Sequence, residues 1–284
     1  MKTKKKKILI TGAGSGFAKD AAFELAAAGH EVIAGVEIMS QVSVLEQELK
    51  AKKLKMKVVK LDVCCQEDRN RAFEYDVDVL LNNAGISEGG AVVDIPEENM
   101  RRQFEVNVFG TILLTQGIAK KFVAKKHGRI IVVSSIAGLY VAPFTGTYAA
   151  SKHALEGYAE ALYKELREFN VEVCTINPGP YLTGFNDRMF EMPHYWNKDA
   201  KDNVFDYSEI SFPDAQYDPK EIVSLMVEVC TEVDVNYRNL LPKASEKDVK
   251  EEQKETWVRK STTDLGKRHE KVQQAFDMKP GTKK

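Results

Sequence analysis

Tyr148 and Lys152 stand four residues apart in the segment "TGTYAASKHAL", a spacing that sends both side chains from one face of a helix. A phenol with its ordinary pKa of about 10 is a poor base near neutrality. An ammonium beside it favours the phenolate and lowers that pKa, so the pair can take a proton from an alcohol or return one to a developing alkoxide. A Tyr-x-x-x-Lys pair is expected by chance about once in a chain of this composition, and alone it identifies nothing. Ser135, upstream and just after the apolar run "RIIVV", makes the placement more specific.

A second cluster sits near the start. In "ITGAGSGFAKD", Gly12, Gly14 and Gly16 miss the spacing G-x-G-x-x-G, which would need glycine at Phe17. An apolar strand, a glycine turn and a helix, in that order, nevertheless suit a dinucleotide pyrophosphate: missing Cβ atoms permit close approach, and helix-end N–H groups face the anion. A purely structural turn is the competing reading of the loop alone.

The elements that must position these groups are short apolar runs alternating with segments of helical period. Candidate strands cover 7–10, 31–36, 57–61, 77–81, 129–133, 171–176 and 237–241. Most are continuous rather than alternating, which points to a parallel sheet buried on both faces: a doubly wound, Rossmann-like α/β fold in a single domain. The first helix is expected from Phe17 to a left-handed stop at Gly29. Asp94 with Glu97, and Asp218 with Glu221, read as capping boxes, and Leu155, Tyr158, Leu162, Leu166 and Phe169 form a core stripe. Residues 1–242 are assigned to this domain, with an aromatic and acidic excursion at 181–217. The tail 243–284, of mixed charge, is expected to form a solvated helix capped by Ser245.

Composition narrows the function classes. A formal net charge of −1 argues against a general nucleic-acid binder. No apolar run is long enough for a membrane span, and "MKTKKKK" reads as a solvated start rather than a signal peptide. Cys64, Cys65, Cys174 and Cys230 show neither disulfide nor zinc spacing, so no metal is expected and a reduced, cytoplasmic setting is.

Together, "TGAGSGF", "LLNNAGIS", "VNVFG" and "VVSSIAGLYVAPFTGTYAASKHAL" occur in an order that resembles the short-chain dehydrogenase/reductase family, from residue 7 to about 183. That family's glycine pattern, T-G-x-x-x-G-x-G, explains Thr11, Gly12 and Gly16, with Ala18 in the last position. Phe17, where Ile is common, is similar to members acting on retinoids and steroids.

The resemblance implies an NAD(P)-dependent oxidoreductase that interconverts an alcohol and a ketone or aldehyde. Its catalytic tetrad would be Asn107, Ser135, Tyr148 and Lys152. Tyr148 would be the acid/base, its pKa lowered by Lys152 and by the positive ring of the oxidised nicotinamide; Ser135 would polarise the substrate oxygen, Lys152 would hold the nicotinamide ribose and Asn107 would position a proton-relaying water. The loop Gly12, Gly14, Ser15, Gly16 and Phe17 would hold the pyrophosphate side. Asp62 and Val63 would touch the adenine, Asn83, Ala84 and Gly85 would line the cleft, and Pro178, Gly179 and Thr183 would hold the nicotinamide side. For Asp62 a helix N-cap is the competing role.

Glu37, at the end of the second strand, can bind ribose hydroxyls and would repel a 2′-phosphate, which favours NAD over NADP. The family's NAD-selecting Asp would align with Val36, and Lys19 lies nearby, so NADP stays open. The aromatics of 181–217 fit either an apolar lid over a hydrophobic alcohol or ketone, or simple packing of the excursion. Family habit implies a homodimer or homotetramer through the helices bearing Asn107 and Tyr148. A dinucleotide-sensing regulator without turnover, or an epimerase or dehydratase with related Tyr-Lys chemistry, remains the alternative.

Overall fold

Seven strands, β1 (Lys7–Ile10), β2 (Glu31–Val36), β3 (Lys57–Lys60), β4 (Val79–Asn82), β5 (Gly128–Val133), β6 (Val171–Pro178) and β7 (Arg238–Leu241), form one sheet in the computed structural model, which describes residues 5–197 and 201–278. Their order is β3-β2-β1-β4-β5-β6-β7, with every neighbouring pair parallel. Met1–Lys4 of the lysine-rich start, 198–200 of the excursion and 279–284 of the tail lie outside the described residues.

Parallel neighbours require crossovers, and the crossover helices cover both faces of the sheet. On one face α1 (Gly16–Ala27), α2 (Met39–Lys52) and α8 (Lys220–Thr231) pack on Ile8, Ile10, Leu81 and Val133. On the other, α3 (Gln66–Phe73), α5 (Thr111–Lys125) and α6 (Gly146–Leu166) pack on Leu9, Leu80, Ile130 and Val132. Successive strand residues thus enter opposite cores, which is why the runs are continuously apolar. The stripe on α6 lies in the second core, with Leu155 and Leu162 buried and Tyr158, Leu166 and Phe169 packed against them. Gly29, at φ +91°, ends the first helical segment as expected.

The chain changes direction of winding between β1 and β4. Their carboxyl ends open a crevice there, the general ligand position of such sheets.

Outside the sheet, two expectations are corrected. The capping box at Asp94 does not form. Pro96 holds the N-cap of α4 (Glu97–Phe104), while the Asp94 carboxylate accepts from Val204 N at 2.9 Å, Phe205 N at 3.1 Å and the Tyr207 hydroxyl at 2.7 Å. Three donors from the excursion outcompete one helix N–H. The second capping pattern survives in part. Asp218 accepts from Lys220 N at 2.9 Å and opens α8, but Glu221 takes the Tyr181 hydroxyl at 2.6 Å instead of folding back.

The tail is helical but not simply solvated. It forms α9 (Ser245–Thr256) and α10 (Glu270–Asp277), with Ala244 rather than Ser245 at the first N-cap. Val249 is buried beside Leu139 and Leu240, and Ala275 beside Phe144 and Tyr207. A backbone bond from Ser211 N to the Ala275 carbonyl ties α10 to the excursion.

Candidate active site

The glycine turn after β1 is shaped by contacts that larger residues cannot make. Gly12 has φ +65°, and a Cβ there would lie 2.8 Å from the Ala84 Cα. Thr11 Oγ1 accepts from the backbone N–H groups of Asn83 and Ala84, both at 3.0 Å. The turns after β1 and β4 are therefore clasped together. Ser15 at the N-cap of α1 makes no side-chain cap, which leaves first-turn N–H groups for an anion.

At the end of β2, Gln41 organises the turn, and nothing in the sequence reading singled it out. Its Oε1 accepts from Glu37 N at 3.0 Å and Ile38 N at 3.2 Å; a Gln three residues after the N-cap position was the available signal. Glu37 is exposed, and Lys19 is drawn away to Glu48 at 2.7 Å. Asp62 is not a helix cap: its Oδ1 accepts from Cys64 N at 2.9 Å, while Cys65 precedes α3 as N-cap.

These turns border one cleft of about 1200 Å³ at the carboxyl ends of the strands. Gly12, Gly14, Ser15, Gly16 and Phe17 line it, as do Glu37, Asp62 and Val63. Asn83, Ala84 and Gly85 continue the wall, and Pro178, Gly179 and Thr183 close it beside Ser135, Tyr148 and Lys152. Tyr181 and Phe185 also line it; the first stacks edge-on to Phe17 at 5.6 Å and the second to Tyr148 at 5.7 Å. Phe185 was one of the aromatics expected as a lid, whereas Tyr181 had no expected role, because its partner Phe17 is distant in the chain.

Three members of the expected tetrad meet in the cleft, and the fourth stands behind it. Ser135 ends its strand in extended conformation; its Oγ accepts from Ala137 N at 3.1 Å and donates to the Pro178 carbonyl at 3.3 Å. Lys152 donates from Nζ to the Val133 carbonyl at 2.9 Å, and that ammonium lies 5.6 Å from the Tyr148 ring centre. Asn107 does not border the cleft. Its Oδ1 accepts from Ile86 N at 2.8 Å, and its Nδ2 donates to the Ile86 carbonyl and to Ser151 Oγ, each at 3.0 Å. It sits in a π-helical turn, Glu105–Gly110, between α4 and α5.

Burial governs the electrostatics of the pair. Burial pushes the Tyr148 phenol up to about 12, against a smaller downward pull from the Ser135 hydroxyl. Burial likewise brings Lys152 down to about 8, with Glu156 raising it. The ammonium does not depress the phenol below its ordinary value here, because the loss of solvation around a fully enclosed ring is the larger effect. Tyr148 is therefore held protonated at neutral pH.

Of the aromatics of the excursion, Tyr181 and Phe185 line the cleft, Tyr195 is exposed, and five others pack against one another. Phe190, Tyr207, Phe212, Trp196 and Phe205 cluster with Phe144 and Ala275, and of these none lines the cleft. Ser87 donates to the Phe185 carbonyl at 3.1 Å and braces the start of α7 (Phe185–Trp196), whereas buried Glu88 accepts from Asn99 Nδ2 of α4 at 3.0 Å. Among the described residues no group of three His, Cys, Asp or Glu side chains could hold a metal, and no helix is long and apolar enough to cross a membrane.

Comparison with known proteins adds four findings. The sequence pattern of the short chain dehydrogenase family matches residues 6–194. The chain is 38% identical over 186 residues to a 3-ketodihydrosphingosine reductase of Bacteroides thetaiotaomicron, covering 63% of this chain and 65% of that protein. It is 30% identical over 242 residues to human retinol dehydrogenase 8, covering 78% and 76%. A solved short chain dehydrogenase from Burkholderia cenocepacia in complex with NADP superposes with a TM-score of 0.71 at 22% identity, covering 91% of this chain and 97% of that one.

Proposed function

The chain belongs to the short-chain dehydrogenase family, and from that premise we propose that it is an NAD-linked oxidoreductase interconverting an apolar alcohol and its ketone or aldehyde, with Tyr148 as acid/base. The observation that carries the reading is the enclosure of the Tyr148 phenol and Lys152 ammonium together, beside Ser135, in a cleft whose glycine turn and strand ends suit a dinucleotide. When bound, the nicotinamide supplies or accepts the hydride.

Everything else falls to the protein's own groups. The Ser135 hydroxyl can turn from the Pro178 carbonyl to hydrogen-bond a carbonyl oxygen. Tyr148, protonated at rest, can donate its proton as that oxygen becomes an alkoxide. Lys152 then steadies the phenolate left behind. In the oxidative direction the phenol must first lose its proton, which burial opposes and the neighbouring Lys152 ammonium favours. A dinucleotide sensor has no need for an ammonium stripped of solvent beside a phenol.

Two observations support NAD. Glu37 stands at the cleft mouth, where it suits ribose hydroxyls and repels a phosphate, and Lys19 is occupied by Glu48. The NADP of the Burkholderia structure makes the phosphorylated cofactor the competitor to test. Retinol and 3-ketodihydrosphingosine, named for the two relatives, each carry the oxygen function that the name makes reactive at or near the polar end of a long apolar hydrocarbon. Phe185, edge-on to Tyr148, and Ile86 on the cleft wall suit a substrate of that kind. Assembly through the Asn107-bearing helix fits the exposed apolar Phe109 and Leu113; light scattering of the purified protein, expected to give a dimer or tetramer, checks it.

The direct test is a screen of long-chain and polyene alcohols and ketones with both cofactors, following the absorbance of reduced nicotinamide. Turnover with an apolar pair is expected; no turnover with any alcohol or carbonyl would refute the reading.

A further inference from the structure

One turn beyond Lys152 on α6, Glu156 leaves the same helix face and is 8% exposed. Its carboxylate is held from two other elements. Oε1 accepts from Asn177 Nδ2 at 2.6 Å, and Oε2 accepts from an Arg238 guanidinium nitrogen at 2.9 Å. Asn177 in turn donates to the Ser135 carbonyl at 3.1 Å and accepts from Thr175 Oγ1 at 2.9 Å, so its amide is committed on every side. Glu156 therefore reaches the strand end that carries Ser135. The turn after Ser135 is pressed onto the same helix face: a Cβ at Gly138 would lie 3.1 Å from the Lys152 carbonyl and 3.2 Å from Glu156 Cγ.

We propose that Glu156 is a positioning residue of the active site, which fixes Ser135 through Asn177 and supplies the negative charge that keeps Lys152 an ammonium. The inference rests on the role given above to Lys152 and goes beyond it to what maintains that role. A buried carboxylate is costly without compensation. Arg238 compensates it in part from β7, with a side chain 42% exposed, and a plain structural ion pair would need nothing more.

The charges around it distinguish the two roles. Lys152 faces Glu156 from its own helix, Arg238 and Tyr237 face it from the start of β7, and Glu160 follows one turn on, near Arg238. Burial lowers Lys152 and Glu156 is the group that raises it. Removal of the carboxylate should therefore lower the Lys152 pKa further, so that less ammonium survives at neutral pH.

The titration of Lys152 reads this without turnover. Full-length protein labelled with 13C at the lysine ε carbon gives one resonance that disappears in K152M, and its midpoint is expected near 8. In E156Q that midpoint should fall by about one pH unit, a tenfold loss in the ratio of ammonium to amine. E156D, which keeps the charge but withdraws it by one methylene, should show a smaller fall. N177A, which keeps the charge and cuts the tie to Ser135, should leave the midpoint in place and lower kcat. A midpoint equal to the parent's in every Glu156 variant that folds, with only a lower melting temperature, would overturn the proposal. If the parent turns over no alcohol at all, the oxidoreductase reading fails, and the Lys152 midpoint still judges Glu156.

Discussion

The two sides of the cleft are held by different kinds of contact. On the cofactor side the groups sit on turns directly after β1, β2, β4 and β6, and the backbone clasp from Thr11 to Asn83 and Ala84 joins adjacent strands of the sheet. On the substrate side the excursion is held by Asp94 across 110 to 113 residues of sequence, and by α10 from the far end of the chain. In the function proposed above, a rigid scaffold would present the dinucleotide, and a separately anchored surface would face the substrate. The difference teaches that cofactor and substrate recognition should be separable by mutation.

The largest effect is expected on the rigid side. Gly12→Val puts a β-branched residue at φ +65° with its Cβ against the backbone of Ala84, so dinucleotide affinity measured by calorimetry should fall by at least about 30-fold. An unchanged affinity would mean that this turn does not hold the cofactor. Next is Asp94→Ala, which leaves the buried Tyr207 hydroxyl without its carboxylate and should cost about 2 kcal/mol of unfolding free energy. It should also raise the KM for the apolar substrate while dinucleotide affinity stays within about twofold; equal losses on both sides would erase the distinction drawn here. The smallest is Glu37→Arg, expected to move the ratio of NADP to NAD efficiency toward NADP by about tenfold. A ratio that does not move would remove the argument for NAD.

The same division governs what the sequence made readable. Strands buried on both faces announce themselves as unbroken apolar runs, and Gly12, Gly16, Tyr148 and Lys152 are set by spacings of a few residues. The excursion carried no such signal. Asp94 looked like a cap because Glu97 follows it, and only the fold brings Val204 and Tyr207 to its carboxylate. Val249 and Ala275 sit in stretches dominated by charge, so single buried residues there have no period to betray them. Glu156 lay within a helix whose apolar stripe was read correctly, but its partners Asn177 and Arg238 come from other strands. The protonation of Tyr148 divides in a related way: spacing places Lys152 beside it, whereas enclosure, which raises the phenol's pKa, depends on the whole fold.

The central claim is that the Tyr148 hydroxyl moves the proton in a hydride-coupled reaction. The measurement that tests it most directly is kcat of Tyr148→Phe with the best apolar pair from the substrate screen, made alongside dinucleotide affinity on the same preparation. Loss of the hydroxyl alone should cost about 10²- to 10⁴-fold in kcat with affinity retained. A variant that turns over within twofold of the parent would contradict it.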